Sequence, residues 1–427
     1  MSTAMAAAGE KTWFGQPRGL TILFLTNMWE MFSYYGMRTL LVYYMTKHLL
    51  FAQEKASFIY GTYTAMAYFT PILGGAIADR WLGKRKAVVI GASIMAAGHF
   101  LMAFEPMFYL ALSVIALGNG LFLPSLPSQI NDLYRADDPR RGRAYNVYYV
   151  GLNIGGVMAP LVCGTLGEVY GWHYGFGAAG IGMFAGLLIY LAGKRYLPVE
   201  AAPTRAAVRD PAEPRGNHRN VWWLLLGVGI AATIFRGAYE QIGNTLPLWI
   251  DSGVDRQLAG IEIKMTWFQS LNPLLVISLT PVLLMAWRRR AEAGRETSPG
   301  MRMAIGALLV AAAYLLLAVL TALAGDARVG WWWVVAFFVV LTLGELYILP
   351  TGLGLFAKLA PPRMGATTVA SWFLAIFSGS LLAGLVGTLW SQASHAGFFL
   401  ILSLLALVAA ALLWRLDRPI RNLPDPA

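Results

Sequence analysis

The sequence predicts an all-α membrane protein. Three observations carry this reading. Hydrophobic residues make up 57% of the 427 residues, and only 13% are charged. Mean hydropathy is +0.56. Apolar runs of about 20 residues recur along the chain, the length a helix needs to cross a bilayer. A transmembrane barrel shows short segments of alternating polarity instead, and these are absent.

The runs lie at 19–47, 57–79, 87–105, 107–133, 144–168, 174–196, 221–250, 265–287, 301–324, 330–359, 365–392 and 396–415, which makes about twelve spans. Residues 1–19 lack a hydrophobic core and a convincing cleavage pattern, so the first span is expected to be retained rather than removed as a signal peptide. The formal net charge is +11. In a soluble protein this points to nucleic acid, but here the cations sit between spans: Arg80, Lys84, Arg85 and Lys86; Arg135, Arg140, Arg141 and Arg143; Arg288, Arg289 and Arg290. They alternate with loops poor in Lys and Arg, such as 393–395, and the positive-inside rule places both termini in the cytoplasm. Nucleic acid is not an expected partner; the lipid bilayer is. Cys163 is the single cysteine, which excludes an internal disulfide and leaves metal or thiol chemistry without support.

The stretch 198–220 is rich in Pro, Ala and Arg and weakly apolar. It reads as a cytoplasmic linker between an N-terminal six-helix bundle, 1–197, and a C-terminal one, 221–427. Two such bundles around a central site are the plan of a rocking secondary transporter.

Polar residues inside the spans mark where a solute path runs, because a charge at mid-membrane costs roughly 2.5–3.5 kcal/mol. In the first span Asn27, Glu30, Tyr34 and Arg38 follow i, i+3, i+7, i+11 and share one helix face. The seventh holds Arg236, Glu240 and Asn244 at i, i+4, i+8, and the fifth Tyr145, Tyr149 and Asn153. The eighth carries Gln269 and Asn272 before Pro273, and the tenth Glu345 before Pro350 and Gly352. Cations, anions, amides and phenols together suit a zwitterion with amide bonds. Glu345, with Asn153 and Asn272, can hold an ammonium group. Arg38 can hold a carboxylate bidentately, and Tyr34, Tyr35 and Tyr68 can serve peptide groups.

Several of these residues have two readings. Glu30 is either a structural hydrogen-bonding group or a protonatable site whose neighbour, Met31, is no cation. Arg38 and Glu240 form either a static pair or a gate that breaks as the halves part. Arg236 either pairs with Glu240 or anchors a carboxylate. Asp79 and Arg80, at a span end, read as a cytoplasmic latch, and His99 as a packed, hydrogen-bonded histidine. Trp331, Trp332 and Trp333 read as an interfacial belt.

The chain resembles the proton-dependent oligopeptide transporter family, within the major facilitator superfamily, over nearly its whole length. The resemblance rests on Glu30 with Phe32-Ser33-Tyr34-Tyr35-Gly36-Met37-Arg38; on Gly74-Gly75-Ala76-Ile77-Ala78-Asp79-Arg80 with Gly83; on Asp132-Leu133-Tyr134; and on Tyr148-Tyr149-Val150-Gly151-Leu152-Asn153-Ile154-Gly155. It continues through Tyr239-Glu240-Gln241, Trp267-Phe268-Gln269-Ser270-Leu271-Asn272-Pro273, Gly344-Glu345-Leu346 and Ser371-Trp372-Phe373-Leu374. The resemblance implies the major facilitator fold and uptake of di- and tripeptides with protons by alternating access across the bacterial inner membrane, with no enzyme activity, no metal and no cofactor beyond the coupling protons, by a monomer. It implies that Asn153, Asn272 and Glu345 take the peptide amino end, that Tyr34, Tyr35 and Tyr68 line the pocket, that Arg38 pairs with Glu240 at the outer gate, and that Trp372 and Phe373 form the pocket wall or inner gate. Three positions depart from the family pattern. Its first-span Glu-x-x-Glu-Arg has Asn27 for the first Glu and Met31 for the Arg, its fourth-span Lys is Leu123, and residues 198–220 are too short for the two extra helices many bacterial members insert. The missing cations are groups the family uses for the peptide carboxylate and for proton coupling, so a weakly coupled or uncoupled facilitator is the alternative expectation.

Overall fold

The structure is a computed structural model that describes residues 12–13, 15–134, 138–198, 219–360 and 364–421. Among these residues are twelve long helices. We label them α1 (Arg18–Lys47), α2 (Gln53–Ile77), α3 (Lys84–Leu101), α4 (Phe108–Ser128), α5 (Arg140–Ala159), α6 (Trp172–Gly193), α7 (Arg219–Tyr239), α8 (Leu271–Glu292), α9 (Pro299–Ala324), α10 (Trp331–Lys358), α11 (Gly365–Gly387) and α12 (His395–Arg421). Nine of the twelve, with their short helical extensions, are long and apolar enough to cross a membrane by length and composition. Pro71, Pro124, Pro127, Pro281, Pro350 and Pro419 lie inside helices, a placement that membrane helices tolerate where neighbours satisfy the freed carbonyls. Of the linker expected at 198–220, all but Pro198 and the first two residues of α7 lies outside the described residues.

By packing, the chain divides into two compact units, residues 1–40 with 70–209 and residues 41–69 with 210–427. The expected bundles followed chain order. The packing units instead group the end of α1 and most of α2 with the C-terminal helices. In the first unit α3 packs on α4 and α6. Small residues let backbones approach, as is usual for helices in lipid: a Cβ on Gly155 of α5 would lie 2.2 Å from the Met28 carbonyl oxygen of α1. Leu23, Val88, Met95, Phe122, Met183 and Tyr190 fill the interior.

In the second unit α9 packs on α10 and α12, α7 on α11 and α12, and α8 on α10. The core centres on Phe235, Tyr314, Phe337, Phe338, Phe398 and Phe399. Residues 41–69 join this unit through hydrogen bonds as well as packing. Gln53 Nε2 donates to the Gly387 carbonyl at 2.9 Å, and Ser57 Oγ donates to Asn244 Oδ1 at 2.8 Å. Tyr43 Oη donates to Asp251 Oδ1 at 2.9 Å, and Lys47 Nζ meets Asp251 Oδ2 at 2.9 Å. Arg256 adds a second cation at 3.4 Å from Asp251 and also pairs with Glu262 at 2.8 Å. It stands between β1 (Val254–Asp255) and the hairpin of β2 (Gln257–Leu258) with β3 (Ile261–Glu262), while β1 pairs in parallel with β4 (Val329–Gly330).

One expected element is broken. The seventh span was expected to run helical through Asn244. Instead α7 ends at Tyr239, a 3₁₀ turn covers Glu240–Ile242, and a short helix starts at Leu246. Gly243 and Pro247 account for the break: glycine weakens a helix interior, and proline suits the first turn of a new helix. Asn244 therefore leaves the Arg236–Glu240 stripe and bonds Ser57.

Candidate substrate site

In the first unit, the polar face of α1 turns inward. Asn27 is 2% exposed and Glu30 1%. Asn27 Nδ2 donates to the Tyr148 carbonyl of α5 at 3.3 Å. Neither Glu30 oxygen has a hydrogen-bond partner among the described residues, and the same holds for the Thr26 and Ser33 hydroxyls on the same helix. A structural carboxylate in a buried setting is ordinarily paired or hydrogen-bonded, so the structural reading of Glu30 finds no partner here. Met31, at the departed position, is buried. One to two turns further on, Tyr34 and Tyr35 meet edge to face at 5.4 Å, and the Arg38 guanidinium lies 5.8 Å from the Tyr35 ring. Asn153 is buried, and its amide donates back to the Tyr149 carbonyl of its own helix at 2.9 Å.

Asp79 and Arg80 are exposed in the π turn Ala78–Leu82 and form no ion pair among the described residues. Ion pairs at this end are Lys84 with Asp132 and Arg140 with Asp138, each at 2.8 Å. His99 is fully buried, and neither ring nitrogen has a hydrogen-bond partner among the described residues, which corrects the expectation of a hydrogen-bonded histidine.

The second unit gathers most of the charged candidates. Glu345 sits on α10, where its Oε2 accepts from Asn272 Nδ2 of α8 at 2.7 Å, and the same amide nitrogen lies 3.1 Å from Thr342 Oγ1. Arg236, one turn before Tyr239, forms an ion pair with Glu240 in which both side chains are nearly inaccessible, at 5% and 1%. Arg236 Nη2 donates to Tyr68 Oη at 2.9 Å, and its guanidinium lies 5.1 Å from the Tyr68 ring and 5.4 Å from the Tyr239 ring. Tyr60 Oη donates to Glu240 Oε2 at 3.2 Å. A buried pair of this kind adds little net stability, but removing one partner leaves an uncompensated charge and costs about 3–5 kcal/mol.

The spacing i, i+3, i+4 joins Arg236, Tyr239 and Glu240. It is the signal that marks Tyr239, whose ring meets the Arg236 guanidinium. Tyr60, Thr342 and Asp251 carried no such signal. Trp372 is also buried in the second unit, but against Phe356, 5.2 Å away, and over Gly352. Phe356 and Ser371 border an apolar cleft of about 320 Å³ between α7 and α11.

A comparison with known proteins gives the same picture at the level of the whole chain. The model of the POT family matches residues 85–204 and 215–402. A peptide transporter of Yersinia enterocolitica, YePEPT, is 32% identical over 465 residues, covering 91% of this chain and 90% of that protein. A di-/tripeptide transporter of Lactococcus lactis subsp. cremoris is 29% identical over 487 residues, covering 97% and 98%. The crystal structure of a peptide transporter POT in complex with sulfate superposes with a TM-score of 0.89 at 28% identity and covers 98% of both chains. The family and these neighbours are transporters rather than enzymes. A multi-pass helical chain with a buried ion pair inside its spans and a family-model match over both halves is a membrane transporter of the major facilitator type, and it belongs to the POT family.

Proposed function

We propose that the protein carries di- and tripeptides inward across the bacterial inner membrane together with protons, by alternating access, with both termini in the cytoplasm. The observation that carries this reading is the Glu345 carboxylate held by Asn272 in the same unit as the buried Arg236–Glu240 pair. A carboxylate accepts at about four lone-pair sites, so the Asn272 donor leaves room for an ammonium group. In this reading Glu345, Asn272 and Asn153 serve the peptide amino end, Tyr34, Tyr35 and Tyr68 serve its amides, and Arg38 and Arg236 are the candidates for its carboxylate. Glu240 and Arg38 serve gating. Glu30, without a structural partner among the described residues, serves as a proton carrier. Asp79 and Arg80 keep a proposed latch role at the cytoplasmic end. The relatives named as peptide transporters support the substrate class.

The test is uptake of a labelled dipeptide by proteoliposomes under an inward proton gradient. Glu345→Gln is expected to lower uptake at least tenfold. Glu240→Gln is expected to abolish acid-driven accumulation while sparing counterflow. Wild-type vesicles that fail to exchange peptide at all would remove the substrate assignment.

A second reading, an uncoupled facilitator of peptides or another small zwitterion, is favoured by Asn27, Met31 and Leu123. It predicts counterflow without acid-driven accumulation in the wild type.

A further inference from the structure

The amide that holds Glu345 has a second partner. Asn272 is the second residue of α8, and its Nδ2 donates to two side chains of α10: to Glu345 Oε2 at 2.7 Å and to Thr342 Oγ1 at 3.1 Å. Thr342 and Glu345 are three residues apart, so one turn of α10 presents both acceptors to the same nitrogen. Thr342 is wholly buried, at 0% exposure. A primary amide carries two N–H donors and one carbonyl, so both donors of Asn272 are taken up by α10. The nitrogen must be the end that faces Glu345, because an ionised carboxylate only accepts. The amide oxygen, Oδ1, accepts from no group among the described residues.

We propose that Thr342 is a positioning residue for recognition of the peptide amino end: it takes the second N–H of Asn272 and so holds Asn272 Oδ1 as an acceptor beside the Glu345 carboxylate. The proposal rests on the peptide reading above. With Glu345 as its sole acceptor, the amide is free to turn about one hydrogen bond. The bond from its other hydrogen fixes the amide plane and therefore the place of the oxygen. By standard bond lengths the oxygen and nitrogen of an amide are about 2.2 Å apart. Nδ2 is 2.7 Å from Glu345 Oε2, so Oδ1 and Oε2 lie within about 5 Å of each other. An ammonium nitrogen reaches two oxygens that far apart with bonds of about 2.8 Å. Without the threonine oxygen, the second N–H loses its acceptor on α10. A buried donor left unsatisfied is costly, so the amide turns to find another, and Oδ1 leaves its place. Thr342 is too deeply buried to meet a solute, and its effect passes through Asn272.

The test uses the full chain in proteoliposomes, with unlabelled dialanine and N-acetyl-dialanine each competing against exchange of labelled dialanine. Thr342→Val keeps the shape of the side chain and removes the oxygen. A hydrogen bond to a charged group is worth about tenfold in an equilibrium constant. Thr342→Val is therefore expected to weaken half-inhibition by dialanine about tenfold. Half-inhibition by N-acetyl-dialanine, which has no ammonium group, is expected to stay unchanged. Thr342→Ser keeps the oxygen, loses a methyl group, and is expected to match the wild type with both competitors. A role in packing alone predicts the reverse order, with Thr342→Val tolerated and Thr342→Ser impaired. In an Asn272→Ala background, Thr342→Val is expected to add nothing, because the amide it acts through is gone. Thr342→Ala also lacks the oxygen and serves as the second variant if Thr342→Val fails to fold. Wild-type inhibition by dialanine in Thr342→Val, equal impairment of Thr342→Ser and Thr342→Val, or an undiminished tenfold effect in the Asn272→Ala background overturns the proposal. Wild-type vesicles that exchange no dialanine overturn the peptide reading instead, and the proposal falls with it.

Discussion

Gly61 offers a perturbation whose consequence can be worked from coordinates. A Cβ there would lie 2.3 Å from Gly384 Cα, 2.6 Å from Gly384 N and 2.9 Å from the Ser380 carbonyl oxygen, where ordinary contact is 3.4–4 Å. All three obstacles are backbone atoms of α11, so no rotamer relieves the clash, and Gly61→Ala must lift α2 away from α11 by roughly 1 Å. Overpacking of this kind costs about 1–3 kcal/mol. The lift also strains the neighbouring bonds of Tyr60 to Glu240, 3.2 Å, and Ser57 to Asn244, 2.8 Å. Each buried bond lost adds about 0.5–1.5 kcal/mol, more where the acceptor is charged. The expected total is about 3–5 kcal/mol. Unfolding of the purified protein in detergent, by heat and by denaturant, measures it. Gly354→Ala is the control: nothing lies within 4 Å of its added methyl, and better helix propensity makes it neutral or stabilising by up to about 1 kcal/mol. Equal stability of Gly61→Ala and Gly354→Ala would refute the claim that α2 is seated on α11 through this glycine contact.

Two further outcomes follow from the ion pairs. Asp251→Asn keeps an acceptor for Tyr43 but removes the charge facing Lys47 and Arg256. Because Lys47 is 53% exposed and Arg256 only 13%, most of the expected loss of about 1–3 kcal/mol comes from Arg256. Unfolding with and without Arg256→Gln in a double-mutant cycle separates the two. At the end of the first unit, Lys84 and Asp132 are 31% and 43% exposed. Asp132→Asn is therefore expected to cost below about 1 kcal/mol, with the difference vanishing in high salt; a larger, salt-insensitive loss measured by the same unfolding assay would show a role beyond a screened surface pair.

The number of helices and the residues that carry charge within them were legible in the sequence because both follow from local rules. A run of about 20 apolar residues is a span whatever it packs against, and a charge inside it needs a reason to be there. Helical spacing also gave the shared face of Arg236 and Glu240, and their ion pair is present. The same spacing failed at Asn244, where Gly243 and Pro247 end the helix that the hydropathy pattern continued through. Asp79 and Arg80 form no ion pair among the described residues, and ion pairs at that end are Arg140 with Asp138 and Lys84 with Asp132, residues separated by 48 positions.

Periodicity determines which side of a helix is polar, but it does not say which neighbour that side meets. The sequence by itself therefore determined a multi-span helical transporter with buried acids and cations at Glu30, Arg38, Arg236, Glu240 and Glu345. Only tertiary structure decided that Arg236 rests between Tyr68 and Tyr239, that Glu345 is held by Asn272, and that Glu30 has no hydrogen-bond partner among the described residues. It also seated residues 41–69 on the C-terminal helices. The physical reason is range: span length and helix phase are set within a few turns of chain, whereas a buried charge is satisfied by groups that only packing brings within 3 Å or so.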